Sequence, residues 1–261
     1  MAPHGTSLWF PYPVEAADEP SSLLFCLHHG GAAASFFRDW QRLLGPDVEV
    51  VPVQLPGREA RLAEPAERSL TALTERLAGP VLERADGRPF AFFGHSMGAL
   101  LGYDLSHALS AAGRPPAHLA VSGYVPPHAR AGTSVHTLSE EDFLAHVEGL
   151  QGTPPEILEN PTLLELVLPI LRDDFAACET YTYVERGPLD VPIAVFAGRD
   201  DPSAPADEMA RWSELTRADT SFDVFPGGHF YFQESLAKLL EALRSRLSPA
   251  LAGIANGGDT L

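Results

Sequence analysis

Pro89-Phe90-Ala91-Phe92-Phe93-Gly94-His95-Ser96-Met97-Gly98-Ala99-Leu100-Leu101 is the stretch on which the fold turns. Residues 90–93 are apolar and mostly aromatic, a run too short for a helix and of the type that favours strands. From Met97 to about Ala112 the apolar spacing becomes helical. The join is Gly94-x-Ser96-x-Gly98, a strand-to-helix turn that sets a serine on a strained bend. Glycines two residues to either side keep side chains out of the neighbouring strand and helix. Such a turn exposes the hydroxyl and aims the amino end of the next helix, with the Met97 N–H, at the position of an oxyanion. Ser96 is therefore read as a nucleophile.

Working outward, residues 23–27, 48–53, 119–122, 193–197 and 222–225 are further short apolar runs. Helical spacing lies between or after them, over 70–82 and in a closing helix over 231–247. Short strands apolar on both faces and separated by helices predict a mostly parallel sheet covered on both sides. Ligands of such sheets sit at the carboxyl ends of the strands. One stretch breaks the alternation. Between Pro126-Pro127 and Gly187-Pro188 there is helical spacing alone, over 143–150, 156–158 and 163–181. It is read as a helical lid inserted over the strand ends. The expected organisation is a core in two parts, 1–126 and 188–247, a lid over 127–187, and a disordered tail over 248–261.

A serine hydroxyl is a weak nucleophile and needs a base, which in turn needs an orienting acid. For this architecture the chain order is serine, acid, histidine. The run 193–197 leads into Gly198-Arg199-Asp200-Asp201-Pro202, where Asp201 is preferred as the acid and Asp200 is expected to cap a helix starting near Ala204. The run 222–225 ends in Pro226-Gly227-Gly228-His229, whose glycines let His229 reach across the strand ends as the base. A second oxyanion donor is expected from the loop after the first strand, His28-His29-Gly30-Gly31-Ala32, as the backbone N–H of Gly30 beside that of Met97. Adjacent His28 and His29 point to opposite faces and have no third ligand nearby, so no metal site is read from them. His95 is read as a packing residue of the turn.

The 261 residues are 45% apolar and 20% charged with no long biased tract, which excludes a wholly disordered chain. A chain of this size buries roughly three quarters of its unfolded surface, enough to fold without a disulfide or metal staple. The 18 basic and 35 acidic side chains leave a net charge of −17, and Lys238 is the one lysine. That sign repels phosphate backbones and anionic membranes, so neither nucleic acid nor a membrane is an expected partner. The first 15 residues lack the basic and apolar regions of a secretory signal. No stretch approaches the ~20 apolar residues of a spanning helix. Cys26 and Cys178 match no metal spacing and are read as buried free thiols. No phosphate-loop or dinucleotide fingerprint occurs, and no cofactor is implied. The expectation is a cytoplasmic monomer.

Several strings together resemble the free-standing, type II thioesterases of polyketide and nonribosomal peptide biosynthesis, within the α/β-hydrolase superfamily. They are Leu24-Phe25-Cys26 before the Gly-Gly loop, Ser35-Phe36-Phe37 with Trp40, Gln54-Leu55-Pro56-Gly57-Arg58-Glu59, and the Gly-His-Ser-Met-Gly turn. Leu168-Pro169 with Leu171-Arg172-Asp173 and Tyr181 resembles the lid signature of that family. One departure is His28-His29-Gly30-Gly31-Ala32, where the family usually has a proline and an Ala-Gly-Gly run. The resemblance implies an α/β-hydrolase fold, and hydrolysis of stalled or wrong acyl groups from the phosphopantetheine arm of acyl or peptidyl carrier proteins. Carrier proteins are usually acidic, so docking on this acidic chain would use apolar contacts or a local arginine patch such as Arg58 and Arg61. The alternative is an esterase or lipase acting on free small-molecule esters, which would share the fold and the triad. A binding protein with a dead site is disfavoured by the intact set of Ser96, Asp201 and His229.

Overall fold

The computed structural model describes residues 7–12, 22–153 and 155–255. Six strands make one sheet: β1 (Leu23–Leu27), β2 (Glu49–Pro52), β3 (Phe90–His95), β4 (His118–Ser122), β5 (Ile193–Gly198) and β6 (Thr220–Phe225). Their order is β2-β1-β3-β4-β5-β6, and every pairing is parallel. The helices are α1 (Trp40–Leu44), α2 (Leu70–Ala85), α3 (Met97–Ala111), α4 (Glu140–Leu150), α5 (Pro155–Leu158), α6 (Pro161–Glu179), α7 (Ala206–Met209) and α8 (Phe232–Ala255). This is the α/β-hydrolase architecture, with helices on both faces of the sheet and three helices, α4 to α6, between β4 and β5 where the lid is expected.

The two layers follow from the period-2 alternation of the strands. Leu23, Phe25 and Leu27 of β1, with Phe90 and Phe92 of β3, join the core built with α2 and α3. Leu24 and Cys26, with Ala91 and Phe93, point the other way into the core built with α1 and α8. Strands buried on both faces are what made these elements legible as short apolar runs. At the open edge, β6 alternates instead, leaving Phe222 and Val224 partly exposed.

The lid helices have their own start signals. Ser139 accepts the Asp142 N–H at the head of α4, whose first turn is acidic. Asn160 accepts from Thr162 and Leu163 at the head of α6, with Pro161 in the first turn. Phe143 and Val147 of α4 pack against Leu168 and Leu171 of α6, a third apolar cluster apart from the two sheet cores.

Two expectations in the last quarter of the chain are corrected. The closing helix does not stop near Leu247 but runs to Ala255, bending at Ser235, so residues 248–255 are helical rather than a disordered tail. The rest of the expected tail, 256–261, lies outside the described residues. The short helix after the acid turn begins at Ala206 behind Pro205, and no side chain caps it, so Asp200 is not its cap.

Candidate active site

Ser96 follows β3 directly and opens α3 with φ 53° and ψ −119°, a backbone conformation that is strained for a residue bearing a side chain. The turn is held by its N–H, which donates to the Ser122 carbonyl on β4 at 2.8 Å. The flanking glycines are sterically required. A Cβ on Gly98 would lie 2.1 Å from the Leu27 carbonyl oxygen, and one on Gly94 would lie 2.1 Å from that of Gly98. No neighbour in that crossing is a flexible side-chain end, so α3 can approach β1 and β3 this closely only with glycine at both places.

The acid and histidine turns follow β5 and β6, and their backbones bond to each other. Arg199 N–H donates to Phe225 O at 2.8 Å, and Asp200 N–H donates to Gly227 O at 2.9 Å. His229 Nδ1 lies 2.8 Å from Asp201 Oδ2, with both side chains buried. The other Asp201 oxygen accepts the Ser203 N–H at 2.8 Å. Facing a carboxylate, Nδ1 carries the proton, which leaves Nε2 as a free base. Asp200 is exposed and turns instead to the Gly227 N–H at 3.4 Å. Of the two aspartates, Asp201 is the one joined to the histidine.

A cavity of about 940 Å³ brings the sequence candidates together. Ser96, Met97, His229 and Gly30 line it from the sheet side, and Val147, Leu150, Ile157, Val167, Leu171 and Phe175 line it from the lid. Its wall is mostly apolar, suited to an acyl chain.

Three further histidines are buried nearby, and His29 among them lines the cavity. His95 is fully buried, its Nδ1 2.9 Å from Ser122 Oγ and its ring against those of His29, His229 and Phe232. Burial, with His229 and His29 nearby, pushes its pKa well below the ordinary value. Burial also pushes His28 and His29 down to about 3, helped by Arg58 beside His28 and by His28 beside His29. All three are neutral at pH 7. His95 is thus a packing residue. Among the described residues no group of three or more histidine, cysteine or acidic side chains is gathered as a metal would need. Cys26 and Cys178 are free thiols. Cys26 is buried, whereas Cys178 is only half-buried and borders the cavity.

The expected docking patch at Arg58 and Arg61 is overturned. Both side chains are buried, at 5% and 4% exposure. Arg58 makes a two-pronged ion pair with Asp174 of α6, at 2.6 and 2.9 Å. Arg61 pairs with Glu64 at 2.6 Å and lies over the Trp9 ring at 4.1 Å. Neither is available to a partner. Asp174 was not singled out in the sequence, yet it touches the Gly-Gly loop as well as Arg58.

A parallel sheet of this order, with a serine on a strained strand-to-helix turn and a joined acid and histidine after the two last strands, defines an α/β hydrolase. A family model described as Thioesterase domain matches residues 22–247, and the chain belongs to that family. It is 37% identical over 252 residues to the protein named linear gramicidin dehydrogenase LgrE of Brevibacillus parabrevis, with 95% of each chain covered. It is 36% identical to thioesterase PikA5 of Streptomyces venezuelae, over 86% of this chain and 80% of that one. The solved type II thioesterase BorB, from the borrelidin biosynthetic cluster, gives a TM-score of 0.83 at 34% identity, covering 94% of this chain and 98% of that one. Whatever the name of the first relative, no dinucleotide fingerprint occurs in this sequence. The chain is a thioester hydrolase of the type II thioesterase group. No helix among the described residues is long and apolar enough to cross a membrane.

Proposed function

We propose that Ser96, His229 and Asp201 are the catalytic triad of a thioesterase that removes acyl groups from the phosphopantetheine arm of carrier proteins in polyketide or nonribosomal peptide assembly. The observation that carries this reading is the 2.8 Å His229–Asp201 bond, with His229 and Ser96 lining one cavity under the helices between β4 and β5. His229 Nε2 takes the Ser96 proton as Oγ attacks the thioester carbon. The backbone N–H groups of Met97 and Gly30 receive the oxyanion. The C–S bond then breaks, the sulfur leaves with the proton returned by His229, and the acyl group is left as an ester on Ser96. Water gives a proton to His229 as it attacks that ester. The C–O bond breaks, Ser96 regains its proton, and the acid departs. Asp201 holds the imidazole tautomer and offsets its charge in each half.

The lid suits a long thin arm, since its apolar wall restricts water around the acyl-enzyme. Removal of stalled units is supported by the kinship with BorB, a type II thioesterase of a biosynthetic cluster. The test uses intact-protein mass spectrometry of carrier proteins loaded with acetyl, propionyl and longer acyl groups. Wild type is expected to remove the acyl mass and Ser96→Ala to leave it. Carriers that stay loaded while simple esters are cleaved through Ser96 would replace this reading with a small-molecule esterase.

A further inference from the structure

Asp174 is an acid on the buried face of a lid helix, 1% exposed, far in sequence from the loop it touches. Its Oδ2 accepts the Gly31 N–H at 2.7 Å and Arg58 Nη1 at 2.6 Å, while Oδ1 accepts Arg58 Nη2 at 2.9 Å. Arg58 Nη1 also donates to the Ala32 carbonyl at 3.3 Å, and Nε donates to Pro56 O at 3.1 Å. The ion pair therefore holds the loop at two consecutive residues, Gly31 through the carboxylate and Ala32 through the guanidinium. α6 lies directly on this loop. Gly31 has φ 76°, and a Cβ there would meet Leu171 Cδ2 at 2.4 Å. A Cβ on Gly30 would sit 3.4 Å from Asp174 Cβ.

Two consequences bear on the oxyanion. The Gly31 N–H is already committed to a carboxylate, so it is not the oxyanion donor, and its bond fixes one of the two peptide planes that orient Gly30. A carboxylate this close to a developing oxyanion would oppose it, and Arg58 supplies the charge that cancels it. We infer that the Arg58–Asp174 pair is a positioning device that makes the oxyanion loop at Gly30 ordered and electrically neutral only while lid helix α6 is seated. Neither residue touches the reacting atoms. The inference rests on the serine-thioesterase reading above.

The test compares Asp174→Leu, Arg58→Gln and, as control, Asp173→Asn, which removes the half-exposed ion pair with Arg68 and leaves every hydrogen bond of the Arg58–Asp174 pair in place. Three readouts are taken: kcat and KM on an acyl-thioester, the inhibition constant of an alkyl boronic acid, and the melting temperature. The boronic acid forms an anionic tetrahedral adduct on the serine and so reports on the oxyanion hole. Loss of one oxyanion donor lowers kcat by about 100- to 1,000-fold. Asp174→Leu is expected to approach that range with KM within about threefold, and boronate affinity is expected to fall in parallel. Arg58→Gln keeps the Gly31 acceptor but uncovers its charge, and a fall of about tenfold or more in both quantities is expected. Asp173→Asn is expected to match wild type. If Asp174→Leu does not fold, Arg58→Gln decides alone. A folded variant whose kcat and boronate affinity both stay within about threefold of wild type overturns the inference. So does a fall in kcat with boronate affinity unchanged, because that would place the effect outside the oxyanion hole. Failure of the underlying reading is separately visible, as a wild-type enzyme that neither cleaves the thioester nor binds the boronate through Ser96.

Discussion

The three neutral histidines beneath the active site make acid lability a quantitative expectation. His28, His29 and His95 are all buried, and their folded pKa values lie far below the ~6.5 of an unfolded chain. Above pH 6.5 each is neutral in both states, and the full stability is present. Below it the unfolded chain takes up a proton at each histidine that the folded protein does not, so stability falls as the pH is lowered. Between pH 7 and pH 5 each site removes about 2 kcal/mol, and the three together about 6 kcal/mol. The figure depends on the folded values lying below 5, not on how far below. Set against a typical 5–15 kcal/mol for a whole domain, that loss suffices to bring the protein near its unfolding midpoint. Ordinary carboxylates titrate mostly below this window, so the histidines dominate it. The assay is urea unfolding followed by tryptophan fluorescence at pH values from 7.5 to 5.0, with the denaturant slope checked for constancy. At pH 6 these three rings, together with His107 and His118, which burial lowers to about 4, are expected to take up nearly four protons on unfolding, a slope of about 5 kcal/mol per pH unit. His29→Gln is expected to lower that slope by about a fifth, whatever it does to stability at pH 7.5. Uptake of fewer than one proton at pH 6, or an unchanged slope in the variant, would refute the argument that these rings stay neutral in the folded protein.

Gly98→Ala places a Cβ against the Leu27 carbonyl, and its labelling by a fluorophosphonate is expected to slow about 100-fold or more while far-UV circular dichroism keeps the wild-type shape. Asp201→Asn is expected to lower kcat by about 10,000-fold, the loss seen when a triad acid can no longer hold the histidine tautomer, with the melting temperature little changed. Asp200→Asn, which disturbs one exposed contact to Gly227, is expected to stay within about threefold in kcat, so the pair of variants separates the two aspartates. With Arg58 and Arg61 withdrawn into internal ion pairs on a chain of net charge −17, an acidic carrier meets repulsion. Raising the salt from 50 to 300 mM is therefore expected to lower KM for an acyl-carrier without changing kcat. A rise in KM would point to a basic docking surface elsewhere.

What the sequence disclosed and what it withheld divide along a physical line. The central strands were legible because burial on both faces writes itself as short apolar runs, and the turns after β3, β5 and β6 were legible because their glycines have local steric causes. The limits of β6 were not, because an edge strand half open to solvent begins with Thr220 and Ser221, which read as a turn. The length of α8 was missed because Gly253, with Gly257-Gly258 beyond it, reads as the start of a loose tail, although the backbone stays helical past Gly253. The larger miss lies at Arg58. In an acidic chain a basic pair beside a loop looks like a surface device, and nothing local to residues 54–61 contradicts that. The contradiction sits 116 residues away, where Asp174 falls on the helical stripe of Leu168, Leu171, Phe175 and Cys178. An aspartate on a stripe that faces a core must find a cation, and that stripe was the one signal available. The stripe says that a partner is required, but only the fold says which. Choosing Arg58 turns an apparent binding patch into part of the interior that supports the reaction. The turns that carry Ser96, Asp201 and His229 could be found one at a time, whereas the contacts that hold the Gly30–Gly31 loop arise only when α6 and the sheet meet.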